Sequence, residues 1–212
     1  MEEKNLQLER TVFFCDAVVA IAITILALEI KIEHKEGHLE FIDIISQWKI
    51  FAAFLLSYIN IASFWKTHHD FFSHIKKVDE RLVWYNIAWL FFIVLLPFST
   101  SLVGYFLFDT AAIFTYSLNC FLIAVFQNLI WDYVSVRPTY LKEESLDETT
   151  NSQMRLYCNL DMLNGVIAIA VSFYSPILAF VLLFTKLPMI FGVNFLNRIN
   201  RRRQKRNRKN SQ

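Results

Sequence analysis

The sequence predicts an all-α membrane protein with six transmembrane helices per subunit, and three observations carry that expectation. The 212 residues are 55% hydrophobic, and a mean hydropathy of +0.37 is too apolar for an ordinary soluble domain. Six apolar stretches fall at about 11–31, 47–66, 82–103, 110–131, 156–174 and 176–196, each near 20 residues. At ~1.5 Å rise per residue such stretches match a ~30 Å hydrocarbon core. Little chain is left between them, so residues 1–197 read as one six-helix transmembrane domain and residues 198–212 as a basic tail.

The first span opens with Arg10-Thr11-Val12-Phe13-Phe14-Cys15-Asp16 and then runs apolar to Ile30. A carboxylate at mid-bilayer costs roughly 2.5–3.5 kcal/mol on insertion scales, and less near an interface. A residue kept at that cost faces a bundle interior or a water-filled path, so this helix does more than anchor the chain. Ala20-Ile21-Ala22 mimics a signal-peptide cleavage site, but the apolar run continues past it and the Met-Glu-Glu-Lys flank is not basic. Cleavage is not expected. Ile21, Ile25 and Leu28 recur at i, i+4 and i+7 as one aliphatic stripe, with Thr24 beside it. Asp16 points well away from that stripe, toward neighbouring helices. Glu29 follows Leu28 near the outer mouth, where a carboxylate either enriches cations or simply ends the helix in water.

The second span ends in Trp65, His68 and His69, and the third begins with Trp84, Asn86 and Trp89. Antiparallel threading brings both places to the depth of Asp16. A carboxylate, one or two imidazoles and an amide can form a buried cluster there, each lowering the desolvation cost of the others. The fifth and sixth spans are separated only by Tyr174-Ser175-Pro176, which predicts a tight helical hairpin; Lys186 and Pro188 interrupt the sixth.

With six spans both termini share a side. That side holds Lys76, Lys77, Arg81, Arg137, Lys142, Arg155 and the run from Arg198 to Lys209, against little beyond Lys31, Lys35 and Lys49 opposite. The positive-inside rule puts both termini in the cytoplasm of a multi-pass protein of the cell membrane. The tail directly follows a span, so it reads as a topology determinant drawn to anionic lipid rather than as a nucleic-acid arm. Cys15, Cys120 and Cys158 are isolated and odd in number, indicating neither a disulfide framework nor a zinc site. His68, His69, Asp70 and His74 have ligand chemistry, yet adjacent histidines point ~100° apart on a helix of ~3.6 residues per turn. No metal and no cofactor is expected. No nucleophile–base pair at helical spacing lies within a span, which argues against an enzyme and leaves no catalytic residue to name.

Arg10-x-x-x-Phe14-Cys15-Asp16, continued by Ala-Val-x-Ala-Ile-Ala-Ile-Thr-x-x-x-Leu-Glu-Ile, resembles the R-x-x-x-F-S-D motif and first helix of the transmembrane protein 175 family. These are potassium-permeable channels of bacteria and of animal endolysosomes. Trp65 with His68 and His69, and Asn86 with Pro97 and Phe98, extend the resemblance through the first half of the chain. It implies a homotetramer whose pore is lined by helix 1, with Ile21 as the narrowest ring and Ile25 and Leu28 as further rings. Thr24 matches a threonine associated with cation selectivity. It also implies that Arg10, Phe14, Cys15, Asp16, His68, His69 and Asn86 form a structural network tying the first helix to the second and third. The motif serine is Cys15 here, and a thiol is the weaker hydrogen-bonding group. Arg155 and Asp161 repeat the Arg–Asp spacing without the Phe-Ser pair, a coincidence on this account.

The expected function is therefore passive conduction of potassium and other monovalent cations through a hydrophobic constriction. The four glycines, Gly37, Gly104, Gly165 and Gly192, are too scattered for a carbonyl-lined filter. A proton-coupled secondary transporter or proton channel, with Asp16 and His68 or His69 as titrating carriers, is the alternative. A membrane scaffold or enzyme subunit without flux is a third.

Overall fold

The computed structural model describes residues 2–31, 38–143 and 148–186 and is built from helices. In chain order these are α1 (Glu2–Leu28), α2 (Phe41–Ser46), α3 (Trp48–His74), α4 (Glu80–Tyr105), α5 (Thr110–Ser135), α6 (Glu148–Ser172) and α7 (Pro176–Leu183), with a 3-10 turn at Pro138–Tyr140. Five are long and apolar enough to cross a membrane: Leu6–Leu28, Trp48–His74, Glu80–Tyr105, Thr110–Ser135 and Thr150–Ser172. The sixth predicted span begins as α7; its part from 187 to 196, and the basic tail, lie outside the described residues.

The helices pack in sequence, α3 on α4, α4 on α5, α5 on α6 and α6 on α7, while α1 leans on α3 and α4. Half of the apolar window of α3, α4 and α5 is buried but only 22% of that of α1, so α1 presents most of its surface outward. Trp89, Trp131 and Phe71 are fully buried and fill the space between α3, α4 and α5. A belt of polar groups crosses the same core: Ser57 Oγ and Asn60 Nδ2 each donate to Tyr116 Oη at 3.0 Å, and Thr100 Oγ1 donates to Ser57 Oγ at 2.6 Å. Such interhelical bonds help hold helices together where water is absent.

Ends and crossings follow from local chemistry. Asp79 caps α4, its Oδ1 accepting from Leu82 N at 2.9 Å. Ser175 caps α7 just before Pro176, whose missing N–H costs nothing at a first helical position. Tyr174 N and Ser175 N both donate to Val171 O at 2.9 Å, closing the turn of the α6–α7 hairpin. Gly165 lets α6 approach α5: a Cβ there would lie 2.9 Å from Phe121 Cβ and 3.1 Å from Phe121 Cα. Since backbone must move to admit it, Gly165→Ala is expected to destabilise the protein by about 1–3 kcal/mol, read as a lower thermal midpoint in detergent.

A short strap ties the α3–α4 and α5–α6 connections together. Ile75 and Leu141 form an isolated antiparallel bridge, with Lys76 N donating to Tyr140 O at 2.7 Å and Lys142 N to His74 O at 3.0 Å. Asp79 Oδ2 accepts from the Tyr133 and Tyr140 hydroxyls at 2.6 and 2.9 Å. Burial alone would raise the Asp79 carboxyl, but the Tyr133 hydroxyl, the Leu82 N–H and the Tyr140 hydroxyl outweigh it and hold its pKa below 3.8. A depressed carboxylate stabilises the fold above its unfolded pKa and loses that contribution as pH falls through the folded value. Asp79→Ala is therefore expected to cost about 1 kcal/mol at pH 7. In denaturant titrations the gap to wild type should close below about pH 4.

Candidate functional site

Helix α1 has two unlike faces. Cys15, Val19, Ala22 and Leu26, at i, i+4, i+7 and i+11, are buried against α3 and α4. The opposite face carries Ile21, Thr24, Ile25 and Leu28. Ile21 is 58% exposed and Leu28 73% on the single subunit, and no described residue covers them. Thr24 is exposed too, and its Oγ1 donates to Ile21 O at 2.8 Å. With its hydrogen spent on the backbone, that oxygen has only lone pairs to offer outward, the polarity that suits a cation. Glu29 is half-buried at the end of the helix, lining a narrow crevice with Ile50, Thr100, Gly104 and Tyr105.

The buried face is fixed by polar contacts near the start of the span. Asp16 Oδ1 accepts from Trp65 Nε1 of α3 at 2.8 Å. Asn86 of α4, 1% exposed, donates from Nδ2 to Cys15 Sγ at 2.8 Å. Its Oδ1 lies 2.7 Å from His68 Nε2. An amide oxygen can only accept, so His68 carries its hydrogen on Nε2. The His68 ring is stacked between Trp89 at 4.2 Å and Phe72 at 4.5 Å. Asn86 therefore joins three helices through one amide, and every polar atom of that side chain has work in the absence of water.

Of the residues the sequence assigned to a network, Cys15, Asp16, His68 and Asn86 come together, beside Trp65 and Trp89, which the sequence set at the same depth. His69 is exposed, its ring 5.5 Å from that of Trp65. Arg10 and Phe14 are exposed on the single subunit. His68, His69, Asp70 and His74 do not converge: His68 faces the core, His69 faces outward and Asp70 pairs with Lys66. Cys15 is fully buried, and its thiol both packs and accepts, where a serine hydroxyl would accept more strongly.

One constellation escaped sequence reasoning. Lys186 Nζ lies 3.2 Å from Asp161 Oδ2, with the two side chains 4% and 8% exposed. The same ammonium sits 2.9 Å above the centre of the Phe64 ring. Lys186 looked like an interruption of the sixth span and Asp161 like a chance repeat. The usable signal was that each is a lone charge in an apolar stretch, of opposite sign to the other.

Comparison with known proteins adds a lineage. Residues 10–97 match the profile of the family described as the endosomal/lysosomal potassium channel TMEM175. A potassium channel of Chryseobacterium sp. (strain P1-3) is 29% identical over 166 residues, 78% of this chain and 83% of that protein. A potassium channel of Chamaesiphon minutus (strain ATCC 27169 / PCC 6605) is 32% identical over 140 residues, 62% of this chain and 68% of that protein. The crystal structure of a lysosomal potassium-selective channel TMEM175 homolog from Chamaesiphon minutus superposes with a TM-score of 0.74 at 27% identity. It covers 89% of this chain and 98% of that one.

Proposed function

Because the chain belongs to the TMEM175 family, a family of channels and not of enzymes, we propose that it is a passive potassium-permeable channel of the cell membrane. Four copies surround an axis lined by α1, with Ile21 as the narrowest ring, Ile25 and Leu28 as further rings and Thr24 contributing to cation selectivity. The single observation that carries this is the two-faced character of α1: anchored through Cys15 and Asp16 on one side, apolar and uncovered at Ile21 and Leu28 on the other. A ring of isoleucines supplies no ligands, so an ion passes nearly bare or waits for the neck to wet. Potassium sheds water more readily than sodium, so preference for it is modest and larger alkali cations are admitted. Lys76, Lys77, Arg81, Arg137, Lys142, Arg155 and the run from Arg198 to Lys209, counted by the positive-inside rule, support a cytoplasmic position for both termini.

Purified protein in potassium-loaded vesicles tests the proposal. Fast potassium efflux, with a current that reverses near the potassium potential, is the expected result. Slow, saturable flux abolished by Asp16→Asn belongs instead to a proton-coupled carrier using Asp16 and His68 or His69. No flux at all belongs to a scaffold.

A further inference from the structure

A groove of about 470 Å³ opens where the start of α1 meets the strap. Its floor is apolar, made by Leu8, Val12, Phe13 and Phe72, and its wall carries Lys76 and Lys142. The two lysines are far apart in sequence and stand together because the Ile75–Leu141 bridge pairs their segments. Lys142 Nζ donates to Ser73 O at 2.7 Å, which fixes the ammonium at the wall and leaves its other two hydrogens free. The volume lies within the roughly 300–1,000 Å³ usual for ligand sites.

From this arrangement we infer that the groove holds an anionic phospholipid of the inner leaflet, phosphate against Lys76 and Lys142 and glycerol and acyl carbons along the apolar floor. The inference rests on the cytoplasmic placement of the termini given above, which sets the groove at headgroup depth beside the first turns of the α1 span. A free inorganic anion would leave the apolar floor without purpose. The chain's own tail is excluded by charge, since its run from Arg198 to Lys209 would meet two more cations. Juxtamembrane lysines draw anionic headgroups for the same electrostatic reason. Glu9 also lines the groove and opposes the ligand, so it tunes affinity downward.

Native mass spectrometry of the purified full-length protein tests this, titrating phosphatidylglycerol against phosphatidylcholine of identical acyl chains. Wild type is expected to retain phosphatidylglycerol about tenfold more strongly, and Lys76→Gln with Lys142→Gln to abolish the preference. Both lysines are exposed, so the double variant keeps its fold. Lys76→Arg with Lys142→Arg should keep the preference, Glu9→Gln should increase it, and Lys31→Gln, at the opposite end, should leave it unchanged. Equal retention of the two lipids by wild type, or an undiminished preference in the glutamine variant, would overturn the assignment. So would an intersubunit disulfide between Leu8→Cys and Lys76→Cys, which gives the groove to a second copy. A protein that retains the lipid but passes no potassium would defeat the channel proposal and leave this site standing.

Discussion

Asp161→Asn should cost about 3–5 kcal/mol of stability, because it strands the Lys186 ammonium inside the helix bundle. The wild-type carboxylate lies 3.2 Å from that ammonium, and the Phe64 ring offers its negative face on another side. Asparagine keeps an acceptor oxygen but loses the neutralising charge, and the cation–π contact with Phe64 is worth about 2 kcal/mol when desolvated, too little to replace it. Lys186→Met should be damaging for the mirror reason, leaving a buried carboxylate. The double change Asp161→Leu with Lys186→Met should recover most of the loss, since an apolar pair of similar volume needs no compensation. Thermal unfolding in detergent and yield of folded protein read all three. A single variant as stable as wild type would mean that the pair contributes nothing.

Ile21→Asn is the largest functional effect expected. In the proposed assembly four isoleucine side chains would form a neck that excludes water, and a hydrophobic constriction of this kind gates by dewetting. Asparagine has nearly the same length, but brings a carbonyl oxygen and an amide to each position, so the neck stays hydrated. Potassium flux should rise about tenfold, equivalent to about 1.4 kcal/mol off the barrier. Sodium flux should rise further, so that the two cations permeate almost equally. Vesicle flux with each cation measures both numbers. Because Ile21 is 58% exposed on the single subunit and lies outside its buried core, stability of the subunit should be little changed.

The membrane-length helices were legible because each is an apolar run of bilayer length, and hydrophobicity alone sets that signal. Their ends were not. The second span was expected to end near residue 66, yet α3 continues to His74. Hydropathy falls at Lys66, but Phe71 and Phe72 are buried beyond it and keep the helix packed. The six-residue α2 and the strap left no trace, since a single bridge depends on two segments meeting in space. At the candidate site, Asp16, His68 and Asn86 were readable from depth: antiparallel spans had to bring them level, and a polar group in lipid needs a partner. Depth gives no azimuth, however. It could not tell that His68 turns inward while His69 turns outward, nor that Trp65 is the partner of Asp16. The Tyr116 belt was illegible for another reason: serine, threonine and tyrosine cost little in hydropathy, and the single Asn60 does not break the apolar run of its span.

Cysteine substituted for Ile21 offers the most direct test of a central axis lined by α1. The native thiols Cys15, Cys120 and Cys158 are buried, so a thiol reagent in water reports on the new site. In vesicles, cadmium ion should stop potassium flux through Ile21→Cys at micromolar concentration, release it on chelation and leave wild type untouched. Unimpeded flux through a variant whose introduced thiol reacts readily with a lipid-soluble maleimide would put that side chain against acyl chains and contradict the account.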